Sequence, residues 1–143
     1  MKKLAVALCS TFCLLAPNVQ AEQGLNIRLV QMRQEGSCKL YWEAENQTGL
    51  NITHLSLNVA YKDSGGMTLY DNTLILERIQ PGKTVENSLY ASSKCAEIKT
   101  VKFTKVSTLK TDDKFRQLDS AFMNKFDAAT SYSSKVSGVK VIN

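Results

Sequence analysis

Histidine is almost missing from this chain of 143 residues: there is one, His54, beside only two prolines and one tryptophan. A histidine-based zinc centre needs further ligands, and no cysteine stands close to His54 to supply them. The chain also lacks a Gly-x-Ser-x-Gly elbow, a glycine-rich phosphate loop and a His-Glu-x-x-His run. Ser56 and Asn58 share strand parity with His54, but residues two apart on a strand do not converge as nucleophile, base and orienter. Asp112 and Asp113 lack the additional oxygen ligands that calcium takes, and read as helix capping. We therefore expect no catalytic residues, no metal ligands and no cofactor, and hence a protein that is not an enzyme. Charge of one sign is scarce too. Eighteen Lys and Arg against thirteen Asp and Glu, without a basic run along one face, exclude nucleic acid as a partner.

A hydrophobic run long enough to span a bilayer is absent as well. After Met1-Lys2-Lys3 the apolar stretch runs only from Leu4 to Ala16, short of the roughly 20 residues required. Basic start, short apolar centre, Pro17, and Val19 and Ala21 before the break make residues 1–21 a signal peptide of Gram-negative type, cleaved after Ala21. Lipidation is rejected, because Cys9 follows Leu8 and Cys13 follows Phe12 instead of a small residue. The expected product is residues 22–143: one domain, soluble, periplasmic or secreted, without a membrane span. Losing Lys2 and Lys3 lowers the net charge from +5 to +3.

Two of the four cysteines leave with that segment. Cys38 and Cys95 remain, and in an oxidising compartment they form one disulfide. Their wide separation argues against a redox pair, which keeps its thiols close.

The rest of the chain is dominated by period-two alternation, the signature of half-buried strands. Leu25, Ile27 and Leu29 alternate with polar residues. Cys38, Leu40, Trp42 and Ala44 share one face, with Lys39, Tyr41, Glu43 and Glu45 on the other. Leu55, Leu57, Val59 and Tyr61 continue the pattern to the turn Lys62–Gly66. Residues 67–79 give one long or two short strands with a bulge or corner expected at Asp71-Asn72. Val85 and Leu89 alternate next, and the parity change between Ile98 and Val101 predicts a register shift. Turns every eight to twelve residues imply a sandwich or barrel.

Near residue 112 the period lengthens. Phe115, Leu118, Phe122 and Phe126 recur at three and four, predicting an amphipathic helix over about 112–126. Its apolar stripe packs on its own chain or docks on a partner. Residues 127–135 read as loop, and Val136, Val139 and Val141 offer a last strand. Interface candidates are Tyr41, Tyr70 and Tyr90, which supply contact area at low entropic cost, with Phe115, Phe122 and Phe126 of the helix. Lys94, Lys99, Lys102, Lys105 and Lys110 form either a solvated face that protects an edge or an electrostatic surface for an acidic partner.

The segment "CKLYW" and the second cysteine 57 positions later resemble the immunoglobulin superfamily. Ser93 departs from the antibody pattern, which has a tyrosine two residues before the second cysteine, and the tryptophan on the second strand is closer to fibronectin type III domains. The resemblance covers residues 25–106 and implies an immunoglobulin/fibronectin-III-like antiparallel β-sandwich, to which the helix and a last strand are added. Among exported bacterial proteins of this size and layout, the chain is similar to the interleukin receptor mimic type. That likeness implies a secreted module that binds host immune proteins such as cytokines or their receptors. It also implies a homodimer made by exchanging segments, with the helix and last strand as the natural pieces. The alternatives are a fimbrial or envelope-assembly protein working by strand addition, or an inhibitor of a secreted hydrolase such as lysozyme. The net charge of +3 is awkward for so basic a target.

Overall fold

The computed structural model describes residues 24–112 and 120–143. The expected signal peptide with its cleavage point, and Asp113, Phe115 and Leu118, lie outside these residues. Among the described residues there are eight strands: β1 (Leu25–Glu35), β2 (Ser37–Asn46), β3 (Ile52–Lys62), β4 (Thr68–Ile79), β5 (Thr84–Ala91), β6 (Thr100–Thr111), β7 (Ser131–Ser134) and β8 (Lys140–Ile142). One helix, α1 (Ser120–Ala129), stands between β6 and β7.

They form two sheets, ordered β5-β2-β1-β7 and β4-β3-β6-β8. Separating β1, β2 and β5 from β3, β4 and β6 is the partition of an immunoglobulin/fibronectin-III-like sandwich. Alternation decides which atoms lie between the layers. Leu25, Ile27, Leu29, Leu40 and Trp42 from the first sheet meet Leu55, Leu57, Tyr61, Leu74 and Phe103 from the second, all at most 1 % exposed. Trp42 and Phe103 meet edge to face with centroids 5.2 Å apart, a geometry worth about 0.5–1.5 kcal/mol beyond area burial. Cys38 of β2 and Cys95 are joined, their Cα atoms 4.8 Å apart, tying one sheet to the turn that enters the other.

Several expectations are corrected. Asp71 and Asn72 make neither bulge nor corner: β4 is continuous, and they pair in register with Ala60 and Val59. Ile98 and Val101 are not on one strand: Ile98 caps a 3-10 turn at Cys95–Glu97, and β6 begins only at Thr100, which accounts for the parity change. Part of the segment read as loop is β7, and the last strand is only Lys140–Ile142. Both pair parallel to their neighbours, β7 with β1 and β8 with β6, whereas every other pairing is antiparallel. The described helix extends to Ala129, beyond the expected end.

Helix α1 belongs to its own chain's core. Phe126 is 4 % exposed within the buried cluster, and Phe122 packs partly buried against it. Asp127 Oδ1 accepts the Val106 amide at 3.3 Å, a donor on β6 that β8 does not reach. At the helix end, the Thr130 hydroxyl donates to the Phe126 carbonyl at 2.8 Å and accepts the buried Leu25 amide at 3.2 Å.

Candidate protein-interaction surface

A bulge in β1 creates the most structured polar surface. Leu29 pairs with Trp42 and Gln31 with Tyr41, so Val30 is one residue too many. The extra residue shifts parity: Leu25, Ile27 and Leu29 face inward before it, Met32 after it. Gln31, Arg33 and Glu35 therefore project outward, and Gly36, at φ 75°, turns the chain back into β2. The same outer face receives Lys39 and Tyr41 from β2 and Tyr90 from β5, since Arg33 pairs with Lys39 and Lys39 with Tyr90.

These side chains converge on Glu35. The Tyr41 hydroxyl donates to its Oε1 at 3.3 Å, the Tyr90 hydroxyl to its Oε2 at 3.2 Å, and Lys39 Nζ lies 3.8 Å from Oε2. Lys39 Nζ also stands 5.3 Å from the Tyr41 ring centroid and 5.1 Å from that of Tyr90, while the Arg33 guanidinium lies 5.5 Å from Tyr41. The result is a ladder of alternating cations and rings. Polar contact with Tyr90 above all, then Tyr41 and Glu35, holds the Lys39 pKa above its ordinary 10.5, against an opposing desolvation. Lys39 therefore carries its charge throughout the physiological range.

The ladder stands on rigid ground. The Cys95 amide donates to Gln34 Oε1 at 2.8 Å and the Cys38 amide to the Ser93 carbonyl at 3.0 Å, which fixes the strand ends at the disulfide. Beside Tyr41 the bulge leaves an open cavity of 480 Å³, lined by Val30, Gln31, Glu86, Asn87 and Ser88 over the β2 backbone. Tyr90 is 49 % exposed and Tyr41 half-buried, so rings and cavity face solvent together.

The other sequence candidates lie elsewhere. Tyr70 stacks on buried Tyr61, with centroids 6.4 Å apart and planes at 7°, and belongs to the sandwich filling. Phe126, and in part Phe122, pack in the core described for this single chain. His54 Nδ1 is 3.4 Å from Glu77 Oε1, whereas Ser56 Oγ bonds Ser107 Oγ at 2.7 Å, so serine and histidine are not partnered. Sequence reading missed Arg33, Glu35 and Lys39. Their convergence depends on the bulge, which no single-strand pattern reveals.

On the neighbouring flank the two edge strands clamp each other. Asn72 Nδ2 of β4 donates to the Tyr90 carbonyl of β5 at 3.1 Å, and Asn87 Nδ2 of β5 donates to the Ile75 carbonyl of β4. Two free edge acceptors are thereby used across the gap between sheets. Among the described residues, no group of three His, Cys, Asp or Glu could hold a metal ion, and no helix is long and apolar enough to cross a membrane.

No family model matches the chain, and no curated protein does. Among solved structures it matches that described as the structural characterization of IrmA from Escherichia coli. The TM-score is 0.53 at 13 % identity, covering 79 % of this chain and 92 % of that one. At so low an identity the likeness concerns backbone architecture alone: this chain shares the β-sandwich fold of the Escherichia coli IrmA structure.

Proposed function

We propose that the chain is an exported, non-enzymatic recognition module that binds a host immune protein such as a cytokine through the outer face of the β5-β2-β1 sheet. The observation that carries this reading is the Tyr41–Lys39–Tyr90 ladder gathered on Glu35 beside the bulge cavity. Exposed tyrosines backed by a fixed scaffold are the residue type on which binding energy concentrates, because little rotamer freedom is lost on docking. The disulfide fits an oxidising compartment. The resemblance of the sequence to the interleukin receptor mimic type and the fold shared with IrmA support the same direction. The module would work as a homodimer in which the C-terminal helix and last strands, which pack on their own chain in the structure, make the same contacts with the partner instead.

Two measurements test it. Immobilised protein should bind a cytokine from a purified panel, and Tyr41→Ala with Tyr90→Ala should weaken that binding about 30-fold or more, the loss of 2 kcal/mol or more expected of hot-spot residues. Unchanged affinity in a variant with native circular dichroism would refute the surface. Capture of envelope-assembly proteins alone would refute the host partner. Light scattering should give a discrete dimer, and a monomer at all concentrations would refute the exchange.

A further inference from the structure

The end of the sandwich around the β3–β4 hairpin carries a second, chemically different surface. Lys62 pairs with Thr100 and Thr100 with Lys140, so these residues form one row across β3, β6 and β8. The next residues, Tyr61, Val101 and Val141, turn toward the core, which leaves the row facing outward. Lys102 stands one row further along, paired with Ala60 and Ile142, and Lys99 leads into β6. Asp63, Ser64, Lys99, Thr100, Gly138 and Lys140 border an open depression of 460 Å³.

The charge there is net positive: the four lysines share this end with two carboxylates, Asp63 at the depression and Asp71 in the row of Ala60 and Lys102. Lys62, Lys99, Lys102 and Lys140 form no ion pair among the described residues. The nearby Asp63 is engaged in its own turn, its Oδ1 accepting the Gly65 and Met67 amides, each at 2.9 Å. Met67, at the hairpin, is 70 % exposed, more than any other large apolar side chain described.

Four ammonium groups outside any ion pair, of which Lys62 also donates to the Gly66 carbonyl at 3.5 Å, beside a bare methionine match a membrane surface better than a protein. Protein interfaces are depleted of lysine and anchored by aromatic rings, and here the exposed rings sit on the opposite sheet. Lysine acts as a point charge suited to phosphate oxygens. An apolar side chain at the tip adds insertion into the headgroup boundary.

We propose that this end of the molecule docks on anionic phospholipid, with Lys62, Lys99, Lys102 and Lys140 against the headgroup phosphates and Met67 entering the interface. The surface is distinct from the tyrosine ladder, so a cytokine-binding result neither supports nor removes it.

Co-sedimentation with phosphatidylcholine vesicles containing about one third phosphatidylglycerol tests it at low salt, where surface charges are least screened. Binding should exceed that to pure phosphatidylcholine and fall steeply with added salt. Each neutralised lysine should cost about fivefold, so Lys99→Gln with Lys140→Gln should lose about 25-fold. Met67→Ser should weaken binding without changing the salt slope. Lys83→Gln, at the opposite end, should have no effect. Equal binding to both vesicle types overturns the proposal, as does a Lys83→Gln loss as large as that of Lys99→Gln. Displacement by inorganic phosphate at constant ionic strength would reassign the site to free anion. Retention on a sulfated polysaccharide without vesicle binding would reassign it to glycan.

Discussion

Replacing Gly24 by alanine should destabilise the protein through a collision that can be located atom by atom. A Cβ built there would lie 2.5 Å from Thr130 Oγ1, 2.6 Å from the Thr130 nitrogen and 2.7 Å from the Ala129 carbonyl carbon. Two of these obstacles are backbone at the end of α1, so a side-chain rotation cannot clear them. Carbon contacts are comfortable near 3.5–4.0 Å, so helix end and strand start must separate by nearly an ångström. Overpacking of this kind costs about 1–3 kcal/mol, and restricting the unfolded chain returns about 0.4–1. The net loss should be about 1–2 kcal/mol. Thr130→Val keeps the branched shape but leaves the buried Leu25 amide without its acceptor, again about 1–3 kcal/mol. Because the alanine already pushes Thr130 away from Leu25, the double variant should lose less than the sum of the single ones, with a coupling near 1 kcal/mol. Urea unfolding followed by the fluorescence of buried Trp42 reads all three, and the Gly24→Ala midpoint should drop by about 0.5–1 M. A variant as stable as wild type would refute the close approach. Strict additivity would refute its mechanism.

Reduction of Cys38–Cys95, or their joint replacement by alanine, should cost about 4 kcal/mol in the chain-entropy treatment of a 57-residue separation, lowering the calorimetric melting temperature by more than 10 °C. A shift of a degree or two would refute that role. Asn72→Ala with Asn87→Ala should release both edge carbonyls and promote sheet-edge association, read as concentration-dependent light scattering absent from wild type. Burial raises the phenol pKa of Tyr61, with a smaller push from Tyr70 and an opposing pull from Trp42, and burial chiefly, then Asp127, raises that of Tyr132. Folded-state values above the unfolded 10 mean the native state holds these protons longer. Stability is therefore intact below pH 10 and falls as pH rises beyond it. Tyr61→Phe with Tyr132→Phe should flatten this alkaline loss in pH-dependent urea titrations, at little cost near neutrality, since neither hydroxyl has a hydrogen-bond partner.

The strands were legible because burial imposes a period of two on every one that faces the core. Cys38, Leu40, Trp42 and Ala44 announce an inner face that the sandwich then uses without exception. The Cys38–Cys95 pairing was legible because assigning Cys9 and Cys13 to an expected signal peptide left only two cysteines to join. What escaped depends on pairing between distant strands. The tyrosine ladder needs the extra Val30 to rotate Arg33 and Glu35 onto the face where β2 and β5 present Lys39, Tyr41 and Tyr90. Strand β7, Ser-Tyr-Ser-Ser, has no apolar alternation to reveal it, and is fixed by parallel pairing with Asn26–Leu29 and by Tyr132 stacking on Phe103 at 4.8 Å. The supposed corner at Asp71-Asn72 misread polarity as a break. Both residues are polar because β4 is an edge strand, and Asn72 works there as a clamp.

The parallel placement of β7 and β8 gives one short tail responsibility for the rims of both layers. Such a tail behaves as a single fastener. When it lifts, Asn26–Leu29 in one layer and Thr100–Lys102 in the other are bared in the same event. Truncation after Ala129 would thus leave a molecule frayed on two levels at once.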